Sequence, residues 1–127
     1  DNCQAWVHGP VYAEIYDMFS SFRYDPIDDP RFELLKGKST NLNEKEREVI
    51  NLVVNTFGIY GGKVLEKITH RENPWIDARE GYLENEPSQE EISKEAIKDY
   101  FVSVRTKYDL NTESGIMDYI HNMLDQA

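Results

Sequence analysis

The chain has 127 residues, enough for one domain with a modest core and too few for a second independently folded unit. Acidic residues outnumber basic ones 24 to 14, for a net charge of -10, and Lys and Arg are scattered between Arg23 and Lys107, which argues against nucleic acid as a direct partner. Cys3 is the only cysteine, so an intrachain disulfide and a Cys-rich zinc site are excluded, and the absence of an apolar run of ~20 residues or a basic-then-apolar leader pattern points to a cytoplasmic protein.

Residues Cys3 to Val7 form a half-apolar, strand-like run with no evident hairpin partner after it, and the start of the chain raises the expectation that part of the domain lies upstream of Asp1. Gly9-Pro10 reads as a helix start, because proline at a first helical position loses only an orphan N–H and already has a helical φ. Val11, Ile15, Met18, Phe19 and Phe22 then follow at helical spacing, with Tyr12 and Tyr16 one turn apart beside them.

From Arg23 to Leu42 the pattern breaks at Asp25-Pro26, Asp28-Asp29-Pro30 and Gly37, leaving a connecting stretch with a short helical turn around Phe32 to Lys36. Asn43 with Glu46 forms a capping box, and Val49, Ile50, Val53, Val54 and Phe57 make a helical stripe that ends at Gly58. Gly61-Gly62 opens another short helix with Val64, Leu65 and Ile68 on one side, and Asn73-Pro74 caps a brief helix around Trp75 to Arg79.

A polar loop runs from Glu80 to Gln89. Ser93 caps a helix whose apolar face is Ala96, Ile97, Tyr100, Phe101 and Val104, with Ser88 to Glu91 as a rival capping box. Asn111 or Thr112 caps a last helix with Ile116, Ile120, Met123 and Leu124 on one face and Met117 and Tyr119 at its margins. The expected fold is mainly α, an irregular bundle of about five helices with a short strand-like N-terminal segment.

Chemistry-bearing patterns are few. Cys3 with His8 or His70 could pair as thiolate and imidazole, but a lone Cys among apolar neighbours reads first as a small core residue. His8, His70 and His121 stand too far apart to give two metal ligands on one helical face, so no metal or other cofactor is expected. Gly58 to Lys63 has glycines before a helix but follows a helix rather than a strand, which fails the phosphate-loop context. What stands out is a pair of corners where Trp meets His and Pro beside a helix: Trp6-Val7-His8-Gly9-Pro10 and Thr69-His70-Arg71-Glu72-Asn73-Pro74-Trp75. Each reads first as a packed corner and second as a binding feature.

In order, these corners resemble the phage-associated, SocA-like antitoxin family, also called the Panacea domain. Ala5, Trp6, Gly9, Pro10, Val11 and Tyr16 match its A-W-x-x-G-P-V segment and the tyrosine-bearing helix after it. Gly61, Thr69, His70, Pro74 and Trp75 match its Y-G stretch and T-H-x-x-x-P-W helix end, and Ile92, Ile97, Tyr100 and Phe101 match its closing helix. The resemblance spans about residues 4 to 101, leaving 108 to 127 as an extra C-terminal helix. The family's upstream helices, with an L-Q-K-L-L-Y-like segment, do not precede Asp1, so a longer chain or a partner is expected to complete the fold.

The resemblance implies a non-enzymatic antitoxin that neutralises a cognate toxin by direct contact, in one branch as an adaptor delivering the toxin to an ATP-dependent protease. Trp6, His8, Gly9, Pro10, Tyr12 and Tyr16 on one side, with Thr69, His70, Pro74 and Trp75 on the other, are the expected partner-binding or structural corner. An acidic surface would steer a basic partner while exposed aromatic or Met side chains supply affinity. Two rival readings are a small hydrolase or ligand-binding enzyme using Cys3 with His8 or His70, and a homo-oligomer that buries its Ile116 to Leu124 face between copies.

Overall fold

A computed structural model describes residues 2–27, 32–33 and 41–126. The short helical turn expected around Phe32 to Lys36 falls largely outside the described residues. Among those described, six α-helices accompany a small three-stranded sheet. The mainly α expectation therefore holds, with a sheet in place of a lone strand-like segment.

The sheet begins with a hairpin of β1 (Cys3–Trp6) and β2 (Gly9–Tyr12), paired antiparallel from Cys3 opposite Tyr12 to Trp6 opposite Gly9. This overturns two expectations, since β1 does have a hairpin partner and Pro10 sits in a strand. The physical reason lies in the edge. The strand order is β2-β1-β3, and the Ala5 N–H donates to the Glu90 carbonyl on the β3 side, 2.8 Å away. Ala5 therefore exchanges no ladder bond with Pro10 opposite it, so the missing proline N–H faces the open edge where no donor is needed. The third strand, β3 (Glu91–Ile92), pairs with the other side of β1, a two-residue element too short to show in the sequence pattern.

Helix α1 (Ala13–Phe19) follows β2 directly, and a 3-10 turn (Ser20–Phe22) extends it. Of the predicted stripe, only Phe22 is buried; Val11 belongs to β2, and Ile15 and Met18 are exposed. Helix α2 (Glu44–Phe57) begins at the expected capping box, with the Glu46 N–H donating to Asn43 Oδ1 at 2.8 Å and the Asn43 N–H to Glu46 Oε2 at 3.0 Å. Its core-facing side is Leu52, Thr56 and Phe57, whereas Val49, Ile50, Val53 and Val54 are 44–58% exposed. Thr56 is tolerated inside because its hydroxyl donates to the Leu52 carbonyl at 2.7 Å.

Helix α3 (Gly62–Thr69) and helix α4 (Asn73–Ala78) are joined by a tight connection. Glu72 occupies the N-cap position of α4, so Asn73 is its first residue rather than its cap. Helix α5 (Lys94–Arg105) starts at Ser93, whose Oγ accepts from the Ala96 N–H at 3.0 Å; the rival box at Ser88 gives way to β3. Helix α6 (Glu113–Asp125) is capped by Thr112, not Asn111.

The main core gathers Ile68 of α3, Val104 of α5 and Ile116, Tyr119, Ile120 and Met123 of α6, with Leu52 and Phe57 of α2 packed against them. Tyr119 is thus central rather than marginal. The Ile116 to Leu124 face is used within the chain, against α2 and α3, so it is not open to a second copy. A smaller cluster joins Cys3, Ala5 and Ile92 of the sheet to Trp75, Ala78 and Ile97.

Candidate functional site

The two corners singled out in the sequence meet in space, with the β1–β2 hairpin lying against the end of α3 and the start of α4. The Trp75 indole N–H donates to the Trp6 carbonyl at 2.8 Å across 69 residues. A His8 ring nitrogen lies 2.9 Å from Glu66 Oε1. Gly9 is buried at φ +128°, and a Cβ added there would stand 3.1 Å from Thr69 Oγ1. Only glycine combines that dihedral with that approach, which gives Gly9 and Thr69 one shared reason to be what they are.

Gly9→Ala is accordingly expected to cost about 1–3 kcal/mol, from a left-handed φ forced on an L-residue. Chemical denaturation of Gly9→Ala beside Gly81→Ala, where φ is also positive but nothing crowds the new methyl, separates the dihedral cost from the Thr69 contact.

Behind the junction, the His70 ring stacks flat on Trp75, with centroids 3.9 Å apart and planes 8° from parallel. Burial pushes the His70 pKa down and keeps the ring neutral; Glu66 and the Val7 backbone oppose this, while His8 and Arg79 reinforce it. Its Nε2 is buried without a hydrogen-bond partner among the described residues. Glu66 is held below the usual carboxylate range, chiefly by its hydrogen bond with His8, and Lys63 lies 3.6 Å from its other oxygen.

The sign for stability follows from His70. A folded-state pKa below the ordinary value of about 6.5 means that the unfolded chain takes up the proton first, so stability present above that value is lost as pH falls through the window beneath it. Glu72 acts in the opposite direction, since burial raises its carboxyl pKa despite the hydrogen bond from Tyr119. The expected outcome is therefore a difference: between pH 8 and pH 5.5 the wild type loses more stability in urea than His70→Phe, which keeps the stack on Trp75 without the proton. Equal losses would overturn it.

Arg79 ties this junction to the loop before β3, a role with no motif to announce it. It is 6% exposed. Its guanidinium donates to the carbonyls of Ala5 at 3.2 Å, Leu83 at 3.0 Å and Glu86 at 2.6 Å, and lies 5.3 Å from the Trp75 ring centre and 5.7 Å from that of Tyr82. The sequence placed Arg79 only at a helix end, because a buried arginine bonded to carbonyls leaves no spacing to read.

On the open side, Trp6 meets Tyr16 edge to face, with centroids 5.0 Å apart, and its indole N–H donates to Gln4 Oε1 at 2.8 Å. Trp6, Val7, His8, Val11 and Tyr16 line one side of a mainly apolar cleft of about 450 Å³, and Pro87, Ser88 and Gln89 line the other. Tyr16 also borders a second groove along α1, with Ile15, Phe19 and Tyr24. Tyr12 lies away from the junction, facing Asn2 and Cys3 at the far end of the hairpin, and Pro10 lies on the outer edge. Of the expected corner residues, then, Trp6, His8, Gly9, Tyr16, Thr69, His70 and Trp75 gather at the junction and its cleft, and Tyr12 and Pro10 lie away from it.

The thiol of Cys3 is buried with Ala5 and Ile92, and burial raises its pKa, which disfavours the thiolate that a cysteine nucleophile requires. Among the described residues no three His, Cys, Asp or Glu side chains are grouped to hold a metal ion. No helix among them is long and apolar enough to cross a membrane.

Comparison with known proteins gives one match. The family described as antitoxin SocA-like, Panacea domain, matches residues 1–76. The matched span takes in both corners and stops at Ile76, so the α5 residues Ile97, Tyr100 and Phe101 lie outside it, as does Ile92. No curated protein and no solved structure shows significant similarity to the chain.

Proposed function

The chain belongs to the SocA-like antitoxin family with a Panacea domain, and from that premise we propose that it neutralises a toxin by direct protein contact at the hairpin junction. The reading is of a non-enzymatic, cytoplasmic binding module, for which neither a cofactor nor a nucleic acid is needed. The observation that carries it is the cleft beside Trp6 and Tyr16. Trp6 is held from behind by Trp75 and from the side by Gln4, so an aromatic surface is presented on a rigid corner, and little ordering is left to be done when a partner binds.

Delivery of the toxin to an ATP-dependent protease is a further step of the same proposal. It would use the surface left over once the toxin is seated, and it predicts that toxin levels fall in cells that contain both the antitoxin and the protease.

The test is co-expression with the product of the neighbouring gene, read by growth rescue and by pull-down of the pair. Tyr16→Asp is expected to abolish rescue while leaving the fold intact, because Tyr16 is 53% exposed and α1 contributes no buried residue. A neighbouring product that is neither toxic nor bound sinks the antitoxin reading; rescue that survives Tyr16→Asp moves the contact elsewhere.

A further inference from the structure

We infer that the cleft between Tyr16 and Pro87 takes a cationic segment of the protein partner, an aromatic or aliphatic anchor flanked by Arg or Lys. This rests on the antitoxin reading for the identity of the partner, but its chemistry follows from the cleft and the charge of the segments beside it.

The floor is apolar, made by Trp6, Val11 and Tyr16, and its volume suits one or two large side chains. The elements that enclose it are charged with one sign. The stretch from Trp6 to Phe19 carries Glu14 and Asp17 and has no Lys or Arg. The loop that supplies the opposite wall, Glu80 to Glu91, carries five glutamates and no Lys or Arg; Glu86 and Glu90 directly flank the Pro87 to Gln89 wall, whereas Glu91 borders the separate hollow beside Cys3 and Tyr12.

None of these five glutamates forms an ion pair within the described residues. Glu86 accepts from the Leu83 N–H at 2.9 Å and Glu90 from the Tyr82 hydroxyl at 2.7 Å, both neutral donors. Arg79, the cation nearest the loop, is buried beneath it and bonded to main-chain carbonyls, so it props the wall without covering its outer charge. A cleft with an aromatic floor and two uncompensated acidic flanks attracts a cation, which gains from both the carboxylates and the ring faces. An acidic or purely apolar segment would meet repulsion or no steering there.

The experiment titrates the full chain, labelled for NMR, with acetyl-Arg-Phe-Arg-amide and with acetyl-Glu-Phe-Glu-amide. The Arg peptide is expected to shift the Trp6 indole and the Val11 and Tyr16 amides, with affinity at least fivefold weaker in 0.5 M salt, and the Glu peptide at least tenfold weaker than the Arg peptide. Tyr16→Ala should weaken Arg-peptide binding at least threefold with the Trp75 resonances unmoved, and Glu14→Gln with Glu90→Gln, close in the chain to the cleft's two sides, should weaken it at least twofold. Equal binding of the two peptides, or shifts confined to another surface, overturns the proposal. If the Arg peptide fails while the co-expressed toxin is still neutralised, the cleft chemistry falls and the antitoxin reading stands; if the peptide binds and no toxin is neutralised, the reverse holds.

Discussion

Arg79→Ala is expected to destabilise the protein by about 2–4 kcal/mol, from the loss of charge-assisted hydrogen bonds to carbonyls and of the side chain's buried volume. The guanidinium joins Ala5 in β1, 74 residues away, to its own neighbourhood in the chain, the loop carbonyls of Leu83, Glu84 and Glu86 and the Trp75 and Tyr82 rings. Its removal leaves the buried Ala5 carbonyl without this donor, releases the loop carbonyls and opens space beneath the loop, and each loss costs separately. Arg79→Lys should lose less, about 1–3 kcal/mol, since one ammonium cannot span the Ala5 carbonyl and the loop carbonyls together. Urea denaturation gives the magnitude. Hydrogen exchange gives the location, because amides of residues 80–91 should lose protection before those of α6. A loss under 1 kcal/mol in Arg79→Ala, with exchange unchanged in the loop, would show that other contacts hold it.

The contrast between Arg79 and the capping residues shows what kinds of signal a sequence carries. Asn43 with Glu46, Ser93 and Thr112 were legible because a cap acts on its own neighbours, three residues away, and its chemistry is local. Thr69 and Gly9 were visible as parts of motifs, but their mutual contact spans the fold and depends on one dihedral. Pro10 misled for a related reason: a proline fits a first helical turn and an outer strand edge equally well, and the two-residue turn at Val7-His8 that decides between them has no Asn-Gly or Asp-Gly signature.

The amphipathic stripes misled in another way. In α2, periodicity correctly gave a helix, but a band containing Leu52, Thr56 and Phe57 and one containing Val49, Ile50, Val53 and Val54 lie side by side on its surface. Hydrophobicity alone favours the second. The fold uses the first, because Thr56 satisfies its hydroxyl within the helix and so packs as an apolar residue would. For the cleft, Trp6 and Tyr16 were nameable in advance, whereas the Pro87 to Gln89 wall was only a polar loop until Arg79 was seen to hold it.

A chain cut after Lys107 is expected not to fold, although the cut lies far beyond the matched family span. The cut removes Ile116, Tyr119, Ile120 and Met123, leaving Ile68 and Val104 as the only fully buried members of the main cluster, with α2 and α3 deprived of the surface they pack on. It also removes the hydroxyl chain in which Tyr100 donates to Tyr119 at 2.9 Å and Tyr119 to the Glu72 carboxylate at 2.7 Å, so a partly buried carboxylate at the start of α4 would lose its donor. The side chain of Arg71, which donates to the Met123 carbonyl, would lose its acceptor as well. Burial of apolar side chains at about 1.5–3 kcal/mol each makes this deletion comparable with the whole stability of a typical small domain, before the lost hydrogen bonds are counted. Ile120→Ala is the graded version: Ile120 is fully buried, and the substitution should cost about 2–5 kcal/mol. Circular dichroism and urea denaturation read both. A truncated chain that unfolds cooperatively with native helix content would mean that the matched segment carries its own core, and the hairpin junction would then stand without α6 beneath it.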